Sequence, residues 1–253
     1  MALTWGSEQE SHGVWERDFK LAVSDGHVPG VLWRGGNQSR ATVLLGHGGT
    51  QDKRNPGVRS LARRLVRHLG YSAVAIDAPG HGDRLGAAQE PTTPAEVARR
   101  FAQMGEAERL AETARNRQAA EEWGLVLDEL QVTQGFDGGP YCYWGVSMGT
   151  AIGIPFVASE PRICAAVFGL AGIGSWPSSQ QLARSAGVLE VPVLFFVQWD
   201  DEVVPRSEAF SLFDVIASRE KTMHVNPGGH LAAPYFEREA IEAFFLRNVR
   251  ATA

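Results

Sequence analysis

Short apolar runs alternate with longer amphipathic segments along almost the whole chain, and this alternation restricts the fold more than any other feature. The runs 41–49, 71–77, 141–145, 163–170, 191–199 and 221–226 read as strands, and most are apolar throughout. A strand with no polar face is buried on both sides, as in a parallel sheet. The segments between them carry helical spacing. Val58, Leu61, Leu65 and Leu69 recur every three or four residues after Pro56, and Val97, Phe101 and Met104 do the same after Pro94. Further helices are predicted over roughly 106–131, from Met148 to before Pro161, over 205–218 and over 234–249. Residues 12–33 read as two strands around the turn signal Asp25-Gly26. The expected architecture is an α/β fold: a mainly parallel sheet with helices on both faces and an N-terminal antiparallel hairpin, forming a single domain over 1–253.

Composition excludes several classes. The net charge is -5, and the basic residues are spread along the chain, so a nucleic-acid partner is not expected. No apolar run approaches the ~20 residues of a membrane span, so no membrane partner is expected. The N-terminus lacks a basic start followed by an apolar core, which makes a cytoplasmic location the expectation. The two cysteines, Cys142 and Cys164, cannot form a disulfide framework and read as buried reduced thiols. No metal-ligand spacing or dinucleotide fingerprint stands out, so no cofactor and no metal are expected.

Gly145-Val146-Ser147-Met148-Gly149 fits G-x-S-x-G and lies between a predicted strand and a predicted helix. A serine nucleophile needs such a setting: a strained turn exposes its hydroxyl, and flanking glycines let the backbone pack closely. An acid is expected in the loop after a later strand, where Asp200, Asp201 and Glu202 follow Trp199. Asp201 is preferred by analogy only, its D-x-x-V-P spacing being similar to that of such loops in known hydrolases, with Asp200 as the alternative. The base is expected last, and His230 lies between the final strand and the final helix. The order Ser147, Asp201, His230 matches Ser…Asp…His. His224 falls inside a strand and reads as packed. For the oxyanion, the main-chain N–H groups of Met148 and Gly49 are the candidate donors, with Thr50 as alternative and His47 as a brace for that loop.

The segments HGGTQDKRNPGVRSLARRLVRHLGYSAVAIDAPGHGDR, YWGVSMGTAIG and VQWDDEVVP…NPGGH resemble the α/β-hydrolase-fold serine hydrolases, most closely the dienelactone-hydrolase-like and prolyl-oligopeptidase-like esterases. The resemblance runs from about 12 to 249. Dienelactone hydrolases proper carry a cysteine at the elbow and haloalkane dehalogenases an aspartate, whereas this chain carries Ser147. The resemblance therefore implies a carboxylesterase-like hydrolase of esters, thioesters or lactones, acting on a small-molecule acyl substrate through an acyl-serine. The alternatives are a non-hydrolytic cyclase, acyltransferase or binder that reuses the fold, and a small-peptide peptidase.

The stretch from Gly82 to Tyr141 is longer than one crossover helix requires, so a small helical lid is expected at about 84–112. Trp176, Trp199, Phe101 and Met104 are candidates for the pocket wall. Arg84 either meets an anionic substrate group or is ion-paired.

Overall fold

The computed structural model describes residues 3–24, 26–85, 93–133 and 139–249. Among the described residues nine strands form one sheet: β1 (Leu3–Ser11), β2 (Val14–Val23), β3 (Gly26–Arg34), β4 (Thr42–Gly46), β5 (Ser72–Ile76), β6 (Tyr141–Gly145), β7 (Ile163–Gly169), β8 (Val193–Gln198) and β9 (Lys221–Asn226). Their order is β1-β2-β3-β5-β4-β6-β7-β8-β9. The pairs from β5 through β9 are parallel, and β1, β2 and β3 join antiparallel at one edge. The expected hairpin is thus three-stranded. β1 was not predicted because it is mostly exposed and polar, and it pairs with β2 through backbone bonds that leave no apolar pattern. The expected turn residue Asp25 lies outside the described residues.

Among the described residues seven α-helices flank the sheet: α1 (Pro56–Arg64), α2 (Pro94–Gln103), α3 (Glu106–Val132), α4 (Met148–Ser159), α5 (Ser179–Ala186), α6 (Arg206–Val215) and α7 (Glu237–Asn248). One face packs Val58, Leu61 and Leu65 against Ile241, Phe244 and Phe245, so α1 and α7 share it. The other face collects α3, α4, α5 and α6, with Trp123, Ile154, Leu182 and Leu212 inside. Two apolar layers on one sheet follow from strands without a polar side.

Local chemistry fixes the ends of the helices that matter for the site. Asn55 caps α1 by accepting the Gly57 N–H at 2.9 Å, and Pro56 begins the helix. The segment predicted as one helix over 56–69 is α-helical to Arg64 and a π-turn over Leu65–Leu69, stopped at Gly70 with φ 66°. Thr93 and Glu96 form a reciprocal capping box at the start of α2. Among the described residues, no helix is long and apolar enough to cross a membrane.

Candidate active site

Ser147 ends the turn between β6 and α4 with φ 57° and ψ -121°. A non-glycine residue there costs on the order of 1–3 kcal/mol, so the surroundings must hold it. They do so through the Ser147 N–H, which donates to the Gly169 carbonyl at 2.9 Å. The Thr150 hydroxyl lies 2.9 Å from the Gly145 carbonyl and 2.6 Å from that of Gly169, linking β6, β7 and α4. Both elbow glycines are sterically required. A Cβ on Gly145 would meet the Gly149 carbonyl oxygen at 2.6 Å, and one on Gly149 would meet that of Gly46 at 2.4 Å.

The loop after β9 brings His230 to this turn. Its Nε2 accepts from the Ser147 Oγ at 2.9 Å, and its Nδ1 donates to Asp201 Oδ2 at 2.8 Å. Asp201 Oδ1 also accepts the N–H groups of Val203 and Val204 at 2.8 and 2.9 Å. The carboxylate side chain is 3% exposed and the imidazole 9%, so the pair is shielded from water. Because an ionised carboxylate only accepts, the proton is held on Nδ1 and Nε2 is left to take one from Ser147.

The neighbouring acids, Asp200 among them as the alternative to Asp201, brace the same loop. Asp200 Oδ2 accepts the Gly228 N–H at 3.1 Å, and Glu202 Oε2 accepts the His230 N–H at 2.8 Å. His224 donates from Nδ1 to Glu237 at 2.8 Å and stays away from Ser147.

Gly49, Thr50 and Met148 border the same cavity as Ser147. Met148 is the first residue of α4, where an amide has no intrahelical acceptor and the helix dipole is positive. The next two amides are engaged: Gly149 donates to Val146 and Thr150 to Ser147. On the other loop the Gly48 N–H donates to Gln51 Oε1 at 3.1 Å. His47 braces that loop, donating from Nδ1 to the Gly48 carbonyl and accepting the Ala78 N–H at Nε2. Burial pushes its pKa down to about 4, so it is neutral near pH 7.

A second anchor lies below. Asp77 is fully buried and accepts from the Lys53 N–H, the Lys53 Nζ and the Asp83 N–H at 2.9, 2.6 and 2.9 Å. Burial opposes the Lys53 charge, but the bonds to Asp77 and Asp83 outweigh it and raise its pKa.

The cavity has a volume of about 410 Å³. Phe101 of α2 and Trp176 line it, with ring centroids 5.1 Å apart. Two other wall candidates do not. Met104 is buried at the joint between α2 and α3, and Trp199 is 48% exposed beneath the Arg206 guanidinium, 4.2 Å from its ring centre. Arg84 is ion-paired with Glu122 through two bonds of 2.5 and 2.8 Å. Among the wall residues missed from the sequence are Glu112, Arg115 and Asn116 of α3. Asn116 had a usable signal, since it occupies the apolar stripe continued by Ala119, Trp123 and Leu127. The segment expected as a lid, 84–112, includes α2 and the start of α3. Part of it, 86–92, lies outside the described residues.

Comparison with known proteins places the fold. No family profile and no curated protein matches the chain. Among solved structures, a cold-adapted esterase from an Arctic intertidal metagenomic library is 34% identical, with a TM-score of 0.83 over 98% of this chain and 100% of that one. A Pyrococcus furiosus esterase, 17% identical, has a TM-score of 0.66 over 93% of each chain. Acetyl xylan esterase 1 from a Thermoanaerobacterium species, 16% identical, has a TM-score of 0.67 over 98% of this chain and 88% of its own. The latter two share the fold. The protein belongs to the α/β-hydrolase esterase family.

Proposed function

We propose that the protein is a serine esterase acting on small carboxylic esters, with Ser147 as nucleophile, His230 as base and Asp201 as its orienting acid. The observation that carries this reading is the continuous hydrogen-bond chain from the Ser147 hydroxyl through His230 to Asp201. Ser147 Oγ attacks the ester carbonyl while its proton passes to His230 Nε2. The N–H groups of Met148 and Gly49 receive the charge that develops on the carbonyl oxygen. His230 then returns the proton to the leaving alcohol, and water, deprotonated by the same imidazole, releases the acid.

The cavity suits a substrate of modest size. In this reading α2 and the first turns of α3 cover the acyl-binding space, and the activity is of the dienelactone-hydrolase-like esterase kind. The test is a panel of p-nitrophenyl esters and acyl thioesters of graded length, run beside Ser147→Ala and fluorophosphonate labelling. Turnover and labelling that both vanish in Ser147→Ala support the proposal. Retained turnover in that variant refutes it, as does a loss on chelation that a divalent metal restores.

A further inference from the structure

The buried stripe of α3 contains one polar residue facing the cavity. Ala119, Trp123, Val126, Leu127 and Leu130 fill the core below it. Asn116, one turn earlier, is 3% exposed and borders the cavity above Ser147. Among the described residues its amide has no hydrogen-bond partner. Other buried polar side chains that touch α3 and α4 are bonded to the protein: Thr150 to Gly145 and Gly169, and Glu122 to Arg84. An amide that no protein group satisfies and that borders the cavity is left for a group that enters it, whereas a leucine there would continue the apolar stripe.

The position of α3 defines which part of the substrate Asn116 meets. His230 must give its proton to the leaving oxygen, so the alcohol lies on the side of the loop after β9. That loop enters from the opposite edge of the sheet. α3 lies across the other half: Glu122 takes Arg84 just beyond β5, and Trp123 packs edge-on against Tyr143 of β6. Asn116 therefore faces the acyl group. Its neighbour Arg115 is ion-paired with Glu112, so these two charges on the wall offset each other. Phe101, Ile152 and Trp176 provide apolar surface around it.

We propose that Asn116 is a specificity-determining residue that hydrogen-bonds an uncharged oxygen on the acyl chain, a hydroxyl, ether or keto group, so that oxygenated acyl esters are preferred over their hydrocarbon isosteres. This rests on the serine-esterase reading. A site with a buried hydrogen-bonding group discriminates strongly against a ligand that leaves it unpaired.

The experiment uses matched p-nitrophenyl esters: methoxyacetate against butyrate, and 4-oxopentanoate against 4-methylpentanoate. Each kcat/KM is divided by the ester's own hydroxide-catalysed rate. The wild type should favour the oxygenated member by roughly 10-fold or more, with the difference mainly in KM. Asn116→Leu should bring the ratio close to one. Fluorophosphonate labelling of Ser147 reports whether each variant is folded, and Asn116→Ser replaces any variant that does not label. A ratio that is unchanged in a labelled variant overturns the inference. So does a preference for the hemisuccinate ester that survives in Asn116→Leu, which would transfer the polar wall to Arg100, the α2 residue that also lines the cavity. If no ester is turned over and Ser147 does not label in the wild type, the esterase reading itself fails.

Discussion

The carbonyl oxygen of Gly46 approaches Gly149 so closely that a Cβ there would lie 2.4 Å from it. This contact presses the first turn of α4 against the end of β4, and so sets the spacing between the Met148 amide and the loop bearing Gly49. Gly149→Ala should therefore lower both the unfolding temperature and the rate of ester hydrolysis. Gly124 in α3 is the control, since a Cβ there meets nothing within 4 Å. Gly124→Ala should stabilise the protein by about 0.5–1 kcal/mol through helix propensity. Thermal unfolding of the two variants side by side checks both statements, and equal effects would contradict the packing argument.

Adjacent acids in the loop after β8 should differ sharply. Asp201 holds the His230 imidazole, whereas Asp200 only receives the Gly228 N–H. Asp201→Asn should reduce kcat/KM by on the order of 10³–10⁴-fold, because the imidazole loses its orienting charge. Asp200→Asn should change it far less. Steady-state kinetics on one activated ester decides the ranking, and a reversed order would reassign the acid.

His47 predicts a pH dependence of stability. Its folded pKa is depressed to about 4, against an ordinary value of about 6.5. Between these values the unfolded chain binds the extra proton, so stability rises with pH across this window and is complete above it. On this account about 2 kcal/mol is lost by pH 5. Protonation would also place a donor at Nε2 against the Ala78 N–H. Urea unfolding at pH 7.5 and pH 5 should show the loss in the wild type and a smaller one in His47→Gln. Equal slopes would remove His47 as the cause.

Arg109 clasps the helices over the cavity. Its guanidinium donates to the carbonyls of Met104, Phe101 and Ser175 at 3.2, 2.9 and 2.9 Å, joining the end of α2 to the loop before α5. Arg109→Leu should loosen Phe101 from Trp176 and raise KM for longer acyl chains more than for acetate. A uniform change across chain lengths would argue that α2 does not bound the acyl space.

Much of this was visible before any coordinates. The start of α2 at Pro94 coincides with that predicted, because proline, a capping residue and an apolar stripe are all local signals. Ser147, Asp201 and His230 could be selected in order because each lies just past a strand, where a parallel sheet presents its reactive ends. β1 escaped because an exposed edge strand is held by backbone bonds. Trp199 and Met104 were misplaced because an apolar side chain carries no record of which surface it covers.

The sequence by itself determined the alternating α/β order, the strained elbow and the residue types at the site, since all three depend on chemistry within a few neighbouring residues. Only the tertiary structure decided what long-range packing controls. It brought His230 to Ser147 across 83 positions of chain, joined Asp201 rather than Asp200 to the imidazole, and committed Arg84 to Glu122. It also turned Asn116 from one more helical residue into a polar group on the cavity wall. Distances between residues far apart in the chain follow from how helices and strands pack on one another, and no local pattern encodes them.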